Sequence, residues 1–358
     1  MDRHHCFGGF STSVVCLNWS VFSLKNCDFI SLTKGDRLIA TMNSKGIFNY
    51  MSPESRSSLY RNGRVYTRRD LEGSDSNWVG VDFQQYEVLV EDGRSSDRAT
   101  LEKHGFELIV NNIEKLEIDF FNNDTVLGKY YPLCEETVKD VTGARAVYAF
   151  DHNIRSAVGK KSKKMIAGGQ QVQGPAHAVH GDYTLTSAPA RIDQLSKPPS
   201  KNDTVSGIIK QRGSLLSPED AETVRQGGRF SIINLWRSIV PEPVERNPLA
   251  LCDASRVNPE DLVVFEIHYS DRVGENYFAK YNPDHRWWFY PEMNRTEALL
   301  IKQWDSEGGL AKSKGQRADS DCPDLPCSFS FHSAFTDPST PDRAPDRWSM
   351  EVRCVVLF

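Results

Sequence analysis

The sequence has neither a surplus of basic residues nor a long apolar run. Its 358 residues include 43 Lys and Arg against 48 Asp and Glu, a formal net charge of −5 at pH 7. Without a basic surplus there is no surface to hold a polyanion through many phosphate contacts, so we expect no nucleic-acid partner. No stretch approaches the roughly 18 consecutive apolar residues that a membrane span requires, so we expect no membrane partner.

Signals for secretion and for cysteine-based sites are also missing. Residues 10–24 are mildly apolar, but polar residues interrupt them and no cleavage pattern follows, which predicts a cytoplasmic protein. The eight cysteines are dispersed and form no CxxC pair. This spacing favours buried, inert thiols over a disulfide scaffold or a zinc cluster.

The nucleotide and hydrolase motifs that mark α/β enzymes do not occur at a transition from strand to helix. Neither GxGxxG, GxxxxGK[ST] nor GxSxG is found in that context, which removes the usual support for dinucleotide, P-loop or serine-elbow chemistry. Instead, short β-type runs separated by turn residues follow one another from residue 78 onward. This texture predicts a mainly β fold with flanking helices and a sandwich, jelly-roll or cupin-like core.

Few segments look helical, and two regions stand apart from the β pattern. Helices are expected over 135–141, closed by Gly143, and over 217–226, where Ser217 is the cap and Pro218 begins the first turn. The polar, irregular residues 1–75 predict an N-terminal extension before a domain spanning 76–358. A second polar stretch, 189–213, predicts an insert near the site.

A histidine and an aspartate in residues 176–184 are the first candidate metal ligands. Residues i and i+2 of a β-strand project from the same face, so His180 and Asp182 can reach one cation. On its own an HxD tripeptide is a weak signal, since a surface histidine beside an aspartate is common.

Three residues near the C-terminus complete the pattern. His332 is flanked by aromatic residues, and Arg347 and Ser349 follow it with the spacing that puts both on one strand face. The guanidinium group of an arginine and a nearby hydroxyl can together donate hydrogen bonds to a single carboxylate. Arg353 shares this face and is the next candidate for that role.

The order HxD, distal His, Arg-x-Ser fits a facial triad with a 2-oxoacid cosubstrate. His180, Asp182 and His332 would hold Fe(II) and leave three positions open for 2-oxoglutarate and O2, while Arg347 and Ser349 would bind the far carboxylate. Zinc is a competing metal for these ligands, but a zinc hydrolase gives no reason for the Arg-x-Ser that follows. A zinc or manganese hydrolase or isomerase and a noncatalytic cupin-like binding protein therefore remain as alternatives.

Many short stretches from about residue 78 to the C-terminus resemble a family of fungal non-haem iron oxygenases of secondary metabolism. Its members include gibberellin desaturase-like and cephem methoxylase-like hydroxylase/desaturase enzymes. The stretches are 101–106 (LEKHGF), 130–132 (YYP), 142–144 (TGA), 151–155 (DHNIR), 179–184 (VHGDYT), 234–237 (NLWR), 248–253 (PLALCD), 281–283 (YNP), 302–306 (KQWDS), 331–335 (FHSAF) and 349–353 (SMEVR).

This resemblance implies a double-stranded β-helix core, Fe(II) bound by His180, Asp182 and His332, and 2-oxoglutarate as cosubstrate. The implied reaction is hydroxylation, desaturation or oxidative cyclisation at an unactivated C–H bond of a small secondary-metabolite or amino-acid-derived substrate, with succinate and CO2 as products. Trp236 and Arg237 are weaker candidates for binding this substrate. The sequence leaves the oligomeric state open, and a homodimer is one possibility.

Overall fold

The computed structural model describes residues 42–69, 75–95, 98–199, 203–209, 213–270 and 272–358. Residues 42–358 form one compact unit. Residues 1–41, the greater part of the predicted extension, lie outside the described residues.

The described residues form two β-sheets. In chain order the strands β1 to β15 are Ser44–Met51, Tyr66–Arg69, Asp75–Val79, Phe83–Asp92, Phe106–Val110, Ala146–Arg155, His180–Gly181, Phe230–Ser238, Leu249–Cys252, Leu262–His268, Val273–Ala279, Trp287–Phe289, Glu297–Asp305, His332–Ala334 and Ser349–Leu357. The larger sheet has the order β1-β4-β12-β9-β14-β7-β11-β10-β2-β3, and the smaller has the order β5-β13-β8-β15-β6. Most neighbouring strands are antiparallel, as expected for a jelly roll.

Helices are short and few beside this sheet structure. The α-helices α1 to α7 in the described residues are Asn123–Thr125, Tyr131–Thr142, Ala157–Lys161, Ser187–Leu195, Ser206–Ile209, Pro218–Arg225 and Gly309–Lys312. A π-helical segment, Val126–Tyr130, leads into α2, and 3-10 turns lie at Ala254–Arg256, Pro259–Asp261 and Asp319–Asp321.

The two helices predicted from the sequence are present. Helix α2 contains 135–141 and ends at Gly143, whose φ of 67° is the left-handed conformation that glycine adopts most easily. Helix α6 begins after Ser217, whose side chain accepts a hydrogen bond from the backbone N–H of Asp220. The polar insert contains α4 at its start and α5 near its end.

Two strands lie within the residues that the sequence assigns to the extension. Strand β1 pairs antiparallel with β4, and β2 pairs parallel with β10 about two hundred residues further along the chain. Alternate side chains of β1, including Phe48 and Tyr50, are fully buried. Both strands were missed in the sequence because polar residues surround them. In addition, the alternation of buried side chains in β1 is short, and the partner of β2 is remote in the chain.

Strand β15 separates the site from the core of the smaller sheet. Helix α2 packs against β6 and β15, and Met350, Val352 and Cys354 belong to the same apolar cluster as the buried side chains of α2. The alternate residues of β15, beginning with Ser349, therefore face the space between the two sheets. This inner face positions the polar side chains of the site.

Candidate metal centre and cosubstrate pocket

Three predicted metal ligands meet on the larger sheet. His180 in β7 and His332 in β14 are directly paired residues of adjacent antiparallel strands, and Asp182 follows β7. One ligand atom from each residue lies within 4.8 Å of the other two. Oδ1 of Asp182 is 3.6 Å from Nε2 of His180 and 3.9 Å from Nε2 of His332. The structure thus brings His332 to the other two residues, which precede it by 150 residues or more.

Both histidines are suited to bind a cation through Nε2. Burial lowers the pKa of His180, and burial together with the neighbouring His180 lowers the pKa of His332 to about 4. Both rings are therefore neutral near pH 7, as a metal ligand must be. Nδ1 of His180 lies 2.8 Å from the carbonyl oxygen of Ala178. A proton on Nδ1 that donates to this carbonyl leaves the Nε2 lone pair free.

The two oxygens of Asp182 have different surroundings. Oδ1 faces the histidines, whereas Oδ2 accepts hydrogen bonds from Nδ2 of Asn234 at 3.0 Å and Nε of Arg353 at 3.2 Å. Burial by itself would raise the pKa of this carboxyl, but Arg353 and the two histidines hold it well below its usual range. Asp182 is therefore an anionic candidate ligand with one oxygen already occupied by protein donors.

The predicted cosubstrate anchor lies on the opposite sheet. Ser349 begins β15, where it pairs with Arg155 of β6 and Ser238 of β8, and Arg347 precedes it. Arg347 and Ser349 are 3% and 1% exposed, yet among the described residues neither Nε of Arg347 nor the hydroxyl of Ser349 has a hydrogen-bond partner. Unpaired buried donors are costly, so both groups suit an acceptor that a ligand supplies.

The charge of Arg347 supports the same interpretation. One terminal nitrogen of its guanidinium donates to the carbonyl oxygen of Asn247. Burial and the nearby Arg155 lower the pKa of Arg347 to about 9, which shows that this cation lacks sufficient anionic compensation. A carboxylate from a ligand would supply it, so the residues fit a dicarboxylate such as 2-oxoglutarate.

A cavity borders the two histidines. Its lining residues include His180, His332, Trp236, Leu249, Arg155 and Glu351. The guanidinium carbon of Arg347 lies 5.7 Å from the ring centroid of Trp236. Arg347 therefore lies close to a residue that lines the cavity.

The two weaker substrate candidates point in different directions. Trp236 is on the inner face of β8 with Asn234 and lines the cavity. The next residue, Arg237, is fully buried and donates to the backbone carbonyl of Asn111 at 3.0 Å. Its guanidinium is also 5.7 Å from the ring of Tyr130, on the helix side of the sheet. The structure does not bring Arg237 to the histidines.

Several polar residues of the site were not predicted from the sequence in the roles that the structure gives them. Asn234 shares strand parity with Trp236, so the alternation of β8 could have placed it on the inner face. Arg353 was considered only as a second choice for the cosubstrate, but it contacts Asp182. Glu351 and Arg155 line the cavity, 3.7 Å from each other.

Comparisons with known proteins establish the family. A family model described as an oxidoreductase/YMDC permease-like domain matches residues 48–357. The α-ketoglutarate-dependent dioxygenase phiK of Fungal sp. is 31% identical over 279 residues, which cover 76% of this chain and 83% of the relative. The chain belongs to the Fe(II)/2-oxoglutarate-dependent dioxygenases. The hydroxylase/desaturase efuI of Hormonema carpetanum is 28% identical, with 76% of this chain and 83% of the relative covered.

A solved structure supports the fold of this dioxygenase. The iron and α-ketoglutarate-dependent endoperoxidase NvfI superposes with a TM-score of 0.65 at 24% identity, covering 88% of this chain and 98% of that one. The predictions of the enzyme class, of iron and 2-oxoglutarate as cofactors and of a jelly-roll core are thereby confirmed. No helix among the described residues is long and apolar enough to cross a membrane.

Proposed function

We propose that this dioxygenase oxidises a C–H bond of a small, largely apolar metabolite by hydroxylation, desaturation or oxidative cyclisation. His180, Asp182 and His332 bind Fe(II) in this proposal, and Arg347 and Ser349 bind the far carboxylate of 2-oxoglutarate. The observation that carries the proposal is the convergence of the three ligand atoms within 4.8 Å of one another.

The donor set suits ferrous iron. Two imidazole nitrogens and one carboxylate oxygen on one face of an octahedral ion leave three positions for other ligands. When bound, Fe(II) and 2-oxoglutarate supply O2 activation, with succinate and CO2 as co-products. The protein contributes the positions of the two groups. It holds Fe(II) from the larger sheet and the far carboxylate of 2-oxoglutarate from the smaller sheet, and it keeps bulk water from the buried cavity.

The unpaired donors of Arg347 and Ser349 argue against the two alternatives. A zinc hydrolase or isomerase would use the same three ligands, but nothing in its chemistry requires a buried cation and hydroxyl directed at one acceptor. A noncatalytic binding protein would not need the open side of a facial triad beside such an anchor. A diacid cosubstrate accounts for both features at once.

An aromatic cluster beside His180 supports an apolar substrate. Phe278 is the direct antiparallel partner of His180, so both side chains share one sheet face. Phe265 stacks on Phe278 with ring centroids 4.5 Å apart, and Trp78 lies 5.2 Å from Phe265 while remaining 46% exposed. These rings extend an apolar surface from solvent to the metal ligands, a surface suited to hydrocarbon.

The test is a spectroscopic titration without oxygen. Fe(II) plus 2-oxoglutarate should produce a weak metal-to-ligand charge-transfer band in the visible, because both groups bind in contact with each other. Asp182→Ala should abolish the band. His268→Ala is the matched control, since His268 pairs with Glu266 away from the site and its loss should leave the band intact.

Absence of the band in the wild-type protein would overturn the proposal in favour of one of the alternatives. If the band forms, aerobic incubation with candidate metabolites and measurement of succinate release identifies the substrate. Substrates should stimulate succinate release above the uncoupled rate, and apolar compounds should do so at lower concentrations than polar ones.

A further inference from the structure

The carboxylate of Asp182 is held from the sheet opposite to the one that carries the two histidines. Asn234 belongs to β8 and Arg353 to β15, and the two residues are directly paired in the antiparallel register of these strands. Because paired residues project from the same face, their side chains reach across the space between the sheets together. Both donate to the same oxygen, Oδ2.

Arg353 is itself fixed by two further carboxylates. Its terminal nitrogens donate to Oδ2 of Asp151 at 3.1 Å and to Oε1 of Glu351 at 2.8 Å, while Nε donates to Asp182. Thr204, in the polar insert, donates to the other oxygen of Asp151 at 2.7 Å. The arginine side chain is only 11% exposed. A guanidinium with three acidic partners in fixed directions has one orientation, which makes it a rigid support.

We propose that Arg353 and Asn234 are positioning residues that keep Asp182 a one-oxygen ligand of the metal. This inference rests on the proposed function of the same site. With Oδ2 saturated by two donors, only Oδ1 is directed at the ion. A carboxylate free to rotate could chelate the ion with both oxygens and take a coordination position that the cosubstrate or O2 requires.

The inference also assigns different roles to Arg353 of β15 and to Arg347, which precedes that strand. Nε of Arg347 has no partner among the described residues, whereas each of the three guanidinium nitrogens of Arg353 already donates to a carboxylate. Arg347 is therefore an anchor for a ligand and Arg353 supports a ligand of the metal. Substitution of Arg347 should consequently affect binding of the cosubstrate, and substitution of Arg353 should affect binding of the metal.

The experiment measures metal binding rather than turnover. The wild-type protein and the variants Arg353→Gln, Arg353→Lys and Asn234→Ala are titrated anaerobically with Co(II), and affinity and the visible ligand-field spectrum are recorded. We expect Arg353→Gln to weaken Co(II) binding about 10–100-fold, as loss of a partner of a metal ligand typically does, and to change the spectrum. Arg353→Lys should recover part of the affinity, and Asn234→Ala should give a smaller change in the same direction.

Arg229→Gln is the matched control. Arg229 donates to the buried Asp305 at 2.7 Å, so its replacement also removes an arginine–aspartate pair but leaves the metal ligands untouched. It should alter thermal stability without altering Co(II) affinity or spectrum. Folded Asn234→Ala and Arg353 variants with wild-type affinity and spectrum would overturn the inference. Failure of the wild-type protein to bind Co(II) would instead overturn the proposed function.

Discussion

At the scale of single residues, the site depends on a buried cation that lacks sufficient compensation. Arg347 is 3% exposed, and burial together with Arg155 lowers its pKa to about 9. At pH 7 the charged form therefore costs stability, because the unfolded chain binds this proton more tightly than the folded chain does. In the proposed function a dicarboxylate bound to Arg347 would offset this cost, so burial of the arginine would favour binding of an anion.

Arg347→Gln should raise the KM for 2-oxoglutarate about 10–100-fold, since it removes charge-assisted hydrogen bonds worth a few kcal/mol. Co(II) affinity should change by less than about twofold, because Arg347 does not contact the ligands of the metal. Steady-state succinate release and the Co(II) titration measure the two quantities. An unchanged KM, or equal losses of metal and cosubstrate binding, would remove Arg347 from the anchor role.

At the scale of secondary-structure elements, the alternation of side chains along a strand predicted which residues share a face. It did not predict which residues of other strands they contact. The period of two predicted that Arg347, Ser349 and Arg353 share one strand face, but it does not show which arginine lies beside Asp182. That depends on the pairing of β15 with β8, which joins residues over a hundred positions apart. Likewise, the predicted strand at 176–184 contains only the two-residue β7. The two predicted helices, whose ends have local signals, correspond to α2 and α6, whereas the other five α-helices of the described residues were not predicted.

Adjacent residues of β15 should therefore give opposite effects when truncated. Met350→Ala should lower the free energy of unfolding by about 2–5 kcal/mol, since it leaves a cavity beneath α2, and should leave the KM for 2-oxoglutarate unchanged. Ser349→Ala should cost little stability, because the lost hydroxyl has no partner among the described residues, and should raise that KM. Chemical denaturation and kinetics distinguish the two. A stability loss for Ser349→Ala comparable to that for Met350→Ala would contradict this division of faces.

At the scale of the whole molecule, the site joins the two sheets. The histidines belong to the larger sheet, while Asn234 and Arg353 of the smaller sheet hold Asp182 from the other side. A metal bound there interacts with the folded state and not with the unfolded chain, and so raises the free energy of unfolding by about 2.7 kcal/mol at a free concentration one hundred times Kd. Metal binding and the packing of the two sheets are therefore coupled.

The pH dependence of this coupling is predictable from the histidines. Burial lowers both pKa values, that of His332 to about 4, whereas an exposed histidine titrates near 6.5. As pH falls from about 6.5 toward 4 the unfolded chain therefore gains a proton on His332 that the folded chain does not, so the metal-free protein should lose stability by up to about 1.4 kcal/mol per pH unit from this residue, and His180 contributes in the same direction. The increase in Tm caused by Mn(II) should nevertheless persist at pH 5.5, because His332 of the folded protein is still largely neutral there. Thermal unfolding with and without Mn(II), using Asp182→Ala as the control without an increase, measures both trends. An Mn(II) effect that disappears with a midpoint near 6.5 would show that the rings titrate as exposed histidines do.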